Sequence, residues 1–181
     1  MAEKYSFQIA ESIQQFLEDD NWHFQFMEDE GMFRFNLQMN GRLRKIEYVL
    51  QVRENDYIVY AICPLNVDKD DPDVMQGVNE FLARVNYGTV NGNFEIDYSD
   101  GEVRYKTYVN CEDIILSTKV IRDSIYIPAT SFKQYGDGLV QMMFTDESAE
   151  RVYAGCRKKF WKQVLEQYIH PEDNDNDDET E

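Results

Sequence analysis

No stretch of this 181-residue chain approaches the roughly 20 consecutive apolar residues that span a bilayer, so no membrane-crossing helix is predicted. The amino end, from Met1 to Phe7, is polar and lacks the apolar region of a signal peptide, so export by that route is not expected. The two histidines, His23 and His170, have no partner at metal-ligand spacing, and both read as surface residues rather than ligands or general bases. The three cysteines, Cys63, Cys111 and Cys156, are scattered and odd in number, which excludes a disulfide framework and a zinc-type pairing. Free thiols in a reducing cytoplasm are the expectation. There is no glycine-rich phosphate loop and no serine in a nucleophile-elbow pattern. Positive charge is also scarce. Eighteen Lys and Arg face 35 Asp and Glu, and the net charge of −17 excludes nucleic acid or anionic lipid held through the whole surface.

What the chain does have is aromatic mass. Twelve Tyr, eleven Phe and two Trp supply the apolar area for a core, and the length suits a single domain. Residues 171–181 carry seven acids, no base and no apolar side chain, so they cannot repay their ordering entropy and are predicted to be a disordered acidic tail. Residues 1–170, read as one α+β domain, keep a net charge of −10 without it.

Ser6 is placed to cap a first helix whose stripe is Ile9, Ile13, Phe16 and Leu17, ended by Asp19, Asp20 and Asn21. Period-two alternation then runs through Trp22, Phe24 and Phe26, through Phe33, Phe35, Leu37 and Met39, and through Ile46, Tyr48, Leu50 and Val52. Asn40-Gly41 reads as a two-residue hairpin turn. After a turn at Asn55-Asp56, the strand from Tyr57 to Cys63 is apolar on both faces and is expected to be covered twice, by helices or by a partner. Asp71-Pro72 opens a second helix with Val74, Val78, Phe81, Leu82 and Val85 on one side, closed by Gly88. A hairpin follows, Phe94, Ile96 and Tyr98 against Val103, Tyr105, Thr107 and Val109, turning at Asp100-Gly101. Helical pattern resumes at Ser117 with a break expected at Pro128, and a last helix spans 147–168 with Val152, Cys156, Phe160 and Val164 aligned. The fold class is therefore α+β: helix, antiparallel meander, helix, hairpin, C-terminal helices.

Candidate chemistry is sparse. The run from Asp68 to Asp73 fails as a calcium loop: Pro72 takes the fifth position, Asp73 replaces the glycine, and Asn79 stands where a bidentate glutamate belongs. It reads instead as charge fed to a helix N-terminus. Glu95, Asp97, Asp100 and Glu102 flank a turn opposite Arg104 and Lys106, which predicts cross-strand ion pairing. Arg151, Arg157, Lys158, Lys159 and Lys162 give the last helix a basic face, expected to be solvated or neutralised by the tail. No metal, cofactor or catalytic set is predicted.

The stretch from Asn79 through Phe81, Leu82, Asn86, Tyr87 and Gly88, then Gly92 and Phe94, then Asp97, then Gly101, Val103, Arg104 and Tyr105, resembles the signature of the YbjN family of bacterial domains. Those proteins are labelled sensory-transduction regulators, and their fold is similar to that of type III secretion chaperones. The resemblance implies a left-handed helix end at Gly88, a turn at Gly92, core positions for Phe94 and Tyr105, and no catalytic residues. The resulting expectation is a cytoplasmic, non-enzymatic module, chaperone-like or a regulatory adaptor, that holds a segment of a partner protein along its sheet. Trp22, Phe33 and Tyr48 are the candidate partner-binding aromatics beside a strand edge. The competing reading puts all three in the core, with the edge capped by helices. The rival functions are a self-associating regulatory domain whose main interface is a homodimer, and an enzyme assembled from Asp, Glu and Tyr without a recognisable motif.

Overall fold

Helix α1 (Phe7–Asp19) starts where the sequence places it, with the Ser6 hydroxyl accepting the Ile9 N–H at 3.3 Å. It ends at Asn21, whose φ of 57° is left-handed. In this computed structural model, which describes residues 5–169, four strands follow as a meander: β1 (Phe24–Met27), β2 (Met32–Gln38), β3 (Lys45–Val52) and β4 (Asp56–Ile62). Helix α2 (Pro72–Tyr87) then carries the chain to the hairpin of β5 (Asn93–Ile96) and β6 (Val103–Asn110). Strand β6 inserts antiparallel beside β4, so the six-stranded sheet runs β1-β2-β3-β4-β6-β5. Two long helices, α3 (Thr118–Phe144) and α4 (Ala149–Ile169), complete the α+β architecture. The predicted tail, residues 171–181, and His170 lie outside the described residues.

All the burial lies on one side of the sheet. Phe33, Phe35, Tyr48, Leu50, Val59, Ala61, Val103 and Tyr105 point at the helices and are sealed from water. Their neighbours in sequence, from Arg34 and Asn36 to Val49, Ile58, Tyr60, Ile62, Arg104, Lys106 and Tyr108, lie on the opposite face and are half-buried or exposed. Strand β4 is thus covered once and not twice: α3 packs over β4 and β6 on the inner face, and among the described residues no helix lies on the outer one.

Three further expectations change. The link at Asn40-Gly41 is not a two-residue turn. The Met39 N–H reaches the Arg44 carbonyl at 2.7 Å, leaving residues 40–43 as a longer loop. Tertiary contacts set that length: Leu43 folds back into the core, and the Arg42 N–H donates to Asp137 at 2.9 Å. Gly88 ends α2 at φ −97°, outside the left-handed region. And α3 runs unbroken through Pro128. Proline removes an intrahelical donor and crowds the carbonyl four residues back, but here the sheet holds the affected turn. Tyr48 donates its hydroxyl to the Ile125 carbonyl at 2.7 Å, and Tyr57 and Ser124 share a hydroxyl bond at 3.0 Å. Pro128 itself is buried against that layer.

Two helical glycines, Gly136 and Gly138, are packing devices. A Cβ on Gly136 would sit 2.7 Å from Leu43 Cδ1, and one on Gly138 would sit 2.5 Å from Cys156 Sγ. They let the 40–43 loop and α4 approach α3 closely.

Candidate functional site

The three aromatics singled out from the sequence come together, but as core. Phe33 and Tyr48 are fully buried. Trp22 is half-buried, packed edge-on against Phe35 at 4.9 Å and Tyr48 at 6.2 Å, with its indole N–H donating to Asp20 at 2.8 Å. Phe33 and Tyr48 therefore present no surface to a partner. Alternation marks which residues share a face; only the position of the helices decides which face is wet.

The two sheet edges differ in a way the sequence does not announce. At the β5 edge, the side-chain amide of Asn86 in α2 grips the backbone of Phe94. Its Nδ2–H donates to the Phe94 carbonyl at 2.9 Å, and its Oδ1 accepts the Phe94 N–H at 2.8 Å. A side chain thereby occupies the backbone groups that a foreign strand would use. At the β1 edge nothing comparable occurs: among the described residues, β1 pairs only with β2. Phe24 and Phe26 lie over Phe33 on the inner side, Phe26 stacked at 4.3 Å. Tyr5 follows at 6.3 Å from Phe26, and Phe7, 53% exposed, lies 5.0 Å beyond it. An apolar strip thus borders the unpaired edge.

The polar clusters resolve as structural. Asp71 caps α2, accepting N–H bonds from Asp73 at 3.0 Å and Val74 at 3.1 Å, so the acids of residues 68–73 serve the helix start. Glu95 pairs with Arg104 at 3.0 Å and with Lys106. Burial works against its charge, but hydrogen bonds from those two bases outweigh it and hold its pKa below the ordinary value. Glu102 is pushed the other way, first by burial and then by the nearby Asp100, Asp97 and Glu47, despite Arg104. On α4, Arg151 pairs with Glu147, Lys159 with Asp137 and Lys162 with Glu166, while Arg157 leans on Tyr153. Cys63 is buried, and burial pushes its thiol up to about 11. Among the described residues, no group of three metal-ligating side chains converges, and no helix is long and apolar enough to cross a membrane.

The hairpin around β5 carries the signature residues. Gly92 turns at φ +80°, where a Cβ would lie 2.5 Å from the Lys106 carbonyl; Phe94 and Tyr105 meet edge to face at 4.9 Å. The Tyr105 hydroxyl closes the turn by donating to the Asn91 carbonyl. Residues 10–141 match the family model YbjN, described as "Putative bacterial sensory transduction regulator". The chain belongs to the YbjN family. The match runs from α1 to near the end of α3, so this YbjN domain takes its sheet, both edges and the Asn86 clamp from the family region. The basic helix α4 lies beyond it. No curated protein and no solved structure matches the chain, that of a secretion chaperone included. Of the signature aromatics, Tyr87 packs on nothing and is 96% exposed.

Proposed function

We propose that this YbjN protein is a non-enzymatic regulatory adaptor that holds a segment of a partner protein as an added strand beside β1. The difference between the two edges carries the reading. An unpaired edge strand is a template for another chain, with main-chain bonds giving affinity and alternate side chains giving specificity. The Asn86 clamp removes that possibility at β5, and β1 keeps it. A segment with apolar residues at every second position would extend the layer of Phe24, Phe26, Tyr5 and Phe7. The family description as a transduction regulator fits a protein that acts by occupancy, without metal or cofactor. Three unpaired cysteines fit a reducing, cytoplasmic setting. Self-association is the second reading, favoured by the outward side chains of β4, Ile58, Tyr60 and Ile62.

A photo-crosslinking residue at Gln25 in β1, with a control at Tyr98 near the clamped edge, tests strand addition in living cells. A protein adduct at Gln25 and none at Tyr98 is the expected result. It should disappear when Phe26→Pro removes a backbone donor from β1. Equal labelling at both positions, or none at either, would sink the proposal.

A further inference from the structure

The outer face of the sheet is unusual for this chain in its charge. It carries Arg34, Lys45, Arg53, Arg104 and Lys106 against Glu47, Asp56, Glu95 and Glu102, a near balance in a protein of net charge −17. Its middle is apolar. Val49 on β3 and Ile58, Tyr60 and Ile62 on β4 are half-buried, and Tyr108 on β6 is 52% exposed. The Arg104 guanidinium lies over the Tyr60 ring, 4.4 Å from its centroid.

We infer that two copies of this chain pack through these outer faces, about a two-fold axis running along β4. A two-fold interface must be complementary to itself, and the strand register meets that demand. Strands β3 and β6 flank β4, so an axis along β4 lays β3 of one copy over β6 of the other. Glu47 and Arg104 are both level with Ile62, and Val49 and Lys106 are both level with Tyr60. Lys45 and Glu102 each lie two residues further along, on the same side of that row. Superposing the copies thus brings Glu47 over the partner's position 104 and Lys45 over the partner's position 102, each a contact of opposite charge made twice. Ile58, Tyr60 and Ile62 lie over their own copies on the axis. Within the described chain Lys45 and Glu47 form no ion pair, so both gain a partner across the interface, while Glu102, paired with Arg104 at 3.7 Å but crowded by acids, gains a second base.

The area suffices. Five overlapping strands, β2-β3-β4-β6-β5, each about 4.8 Å wide, by about seven residues of 3.3 Å give a plan area near 550 Å² per copy before side-chain relief is added. Stable interfaces begin at about 600 Å² per partner. Aligned sheet packing at about 30° keeps the long Lys, Glu and Arg side chains within reach of one another. The face is separate from the β1 edge, so the dimer and segment binding stand or fall independently.

Light scattering coupled to size-exclusion chromatography of the full chain at tens of micromolar is expected to give twice the 21.5 kDa of one chain. Ile62→Glu sets two carboxylates against each other on the axis and is expected to give a single-chain mass with unchanged circular dichroism. Lys45→Glu opposes Glu102 and is expected to weaken the dimer at least about tenfold, and adding Glu102→Lys should recover most of it. A wild-type monomer overturns the inference. So does a dimer indifferent to Ile62→Glu, or a Lys45→Glu loss that Glu102→Lys fails to restore.

Discussion

Replacing Asn86 with Ala removes both hydrogen bonds that close the β5 edge, leaving the Phe94 N–H without a protein partner and its carbonyl with only the Asn93 side-chain amide at 3.2 Å. Each bond contributes about 1 kcal/mol net, and an unpaired group at a part-buried site costs somewhat more, so the gross loss is about 2–3 kcal/mol. Position 86 lies in the last turn of α2, where alanine is the better helix former by about 0.5 kcal/mol. The expected net destabilisation is therefore about 1.5–2.5 kcal/mol. With an m-value of about 2 kcal/mol/M in urea, the midpoint should fall by about 0.7–1.2 M. Asn86→Asp separates the two bonds: it retains the acceptor for the Phe94 N–H and sets a carboxylate against the Phe94 carbonyl, so it should recover little. Hydrogen exchange supplies the local readout, because the Phe94 amide should lose protection in the Ala variant and keep it in the Asp variant. A midpoint shift under about 0.2 M, with Phe94 protection unchanged, would refute the clamp and with it the distinction between the two edges.

Thr107 is fully buried on β6 with its hydroxyl unpaired, so Thr107→Val should stabilise the fold by about 1 kcal/mol, read from urea midpoints. Gly138→Ala should destabilise despite a helix-propensity gain of about 1 kcal/mol, because its Cβ would meet Cys156 Sγ at 2.5 Å and Phe81 Cζ at 3.1 Å; a raised melting temperature would show that α3 and α4 are not in close contact there. The Tyr126 hydroxyl and then the Trp22 indole N–H hold the Asp20 pKa below its ordinary value. The stability it contributes is full above the unfolded carboxyl pKa of about 3.9 and is lost as pH falls through the lowered folded value. The gap between wild type and Asp20→Asn should thus be constant from pH 7 to 5 and close as pH drops below about 4. The Cys63 thiol should resist a disulfide reagent at pH 8 in the native protein and react only on unfolding, since burial pushes its pKa up to about 11.

Local rules made much of this fold legible in advance. Ser6 and Asp71 cap helices because a short side-chain acceptor just before an apolar stripe has one good use. Alternation in β2, β3 and β6 identified the residues that share a face, and the signature around Phe94 and Tyr105 identified the family. Where local and distant forces compete, the sequence alone was insufficient. Pro128 ends most helices, yet hydroxyls of Tyr48 and Tyr57, 80 and 71 residues earlier in the chain, hold its turn together. Asn40-Gly41 favours a tight turn, yet Leu43 gains more from burial beside Gly136. The apolar strand from Tyr57 to Cys63 reads as doubly covered, yet α3 covers its inner face alone among the described helices, because composition does not say where a distant helix packs. Asn86 is an ordinary helix residue until α2 folds back across β5, where an amide becomes two hydrogen bonds to an edge. Which strand edge is closed, which is open, and which sheet face meets water are facts about distances between segments far apart in the chain, and they arise only when the sheet order and the helices that cover it are in place.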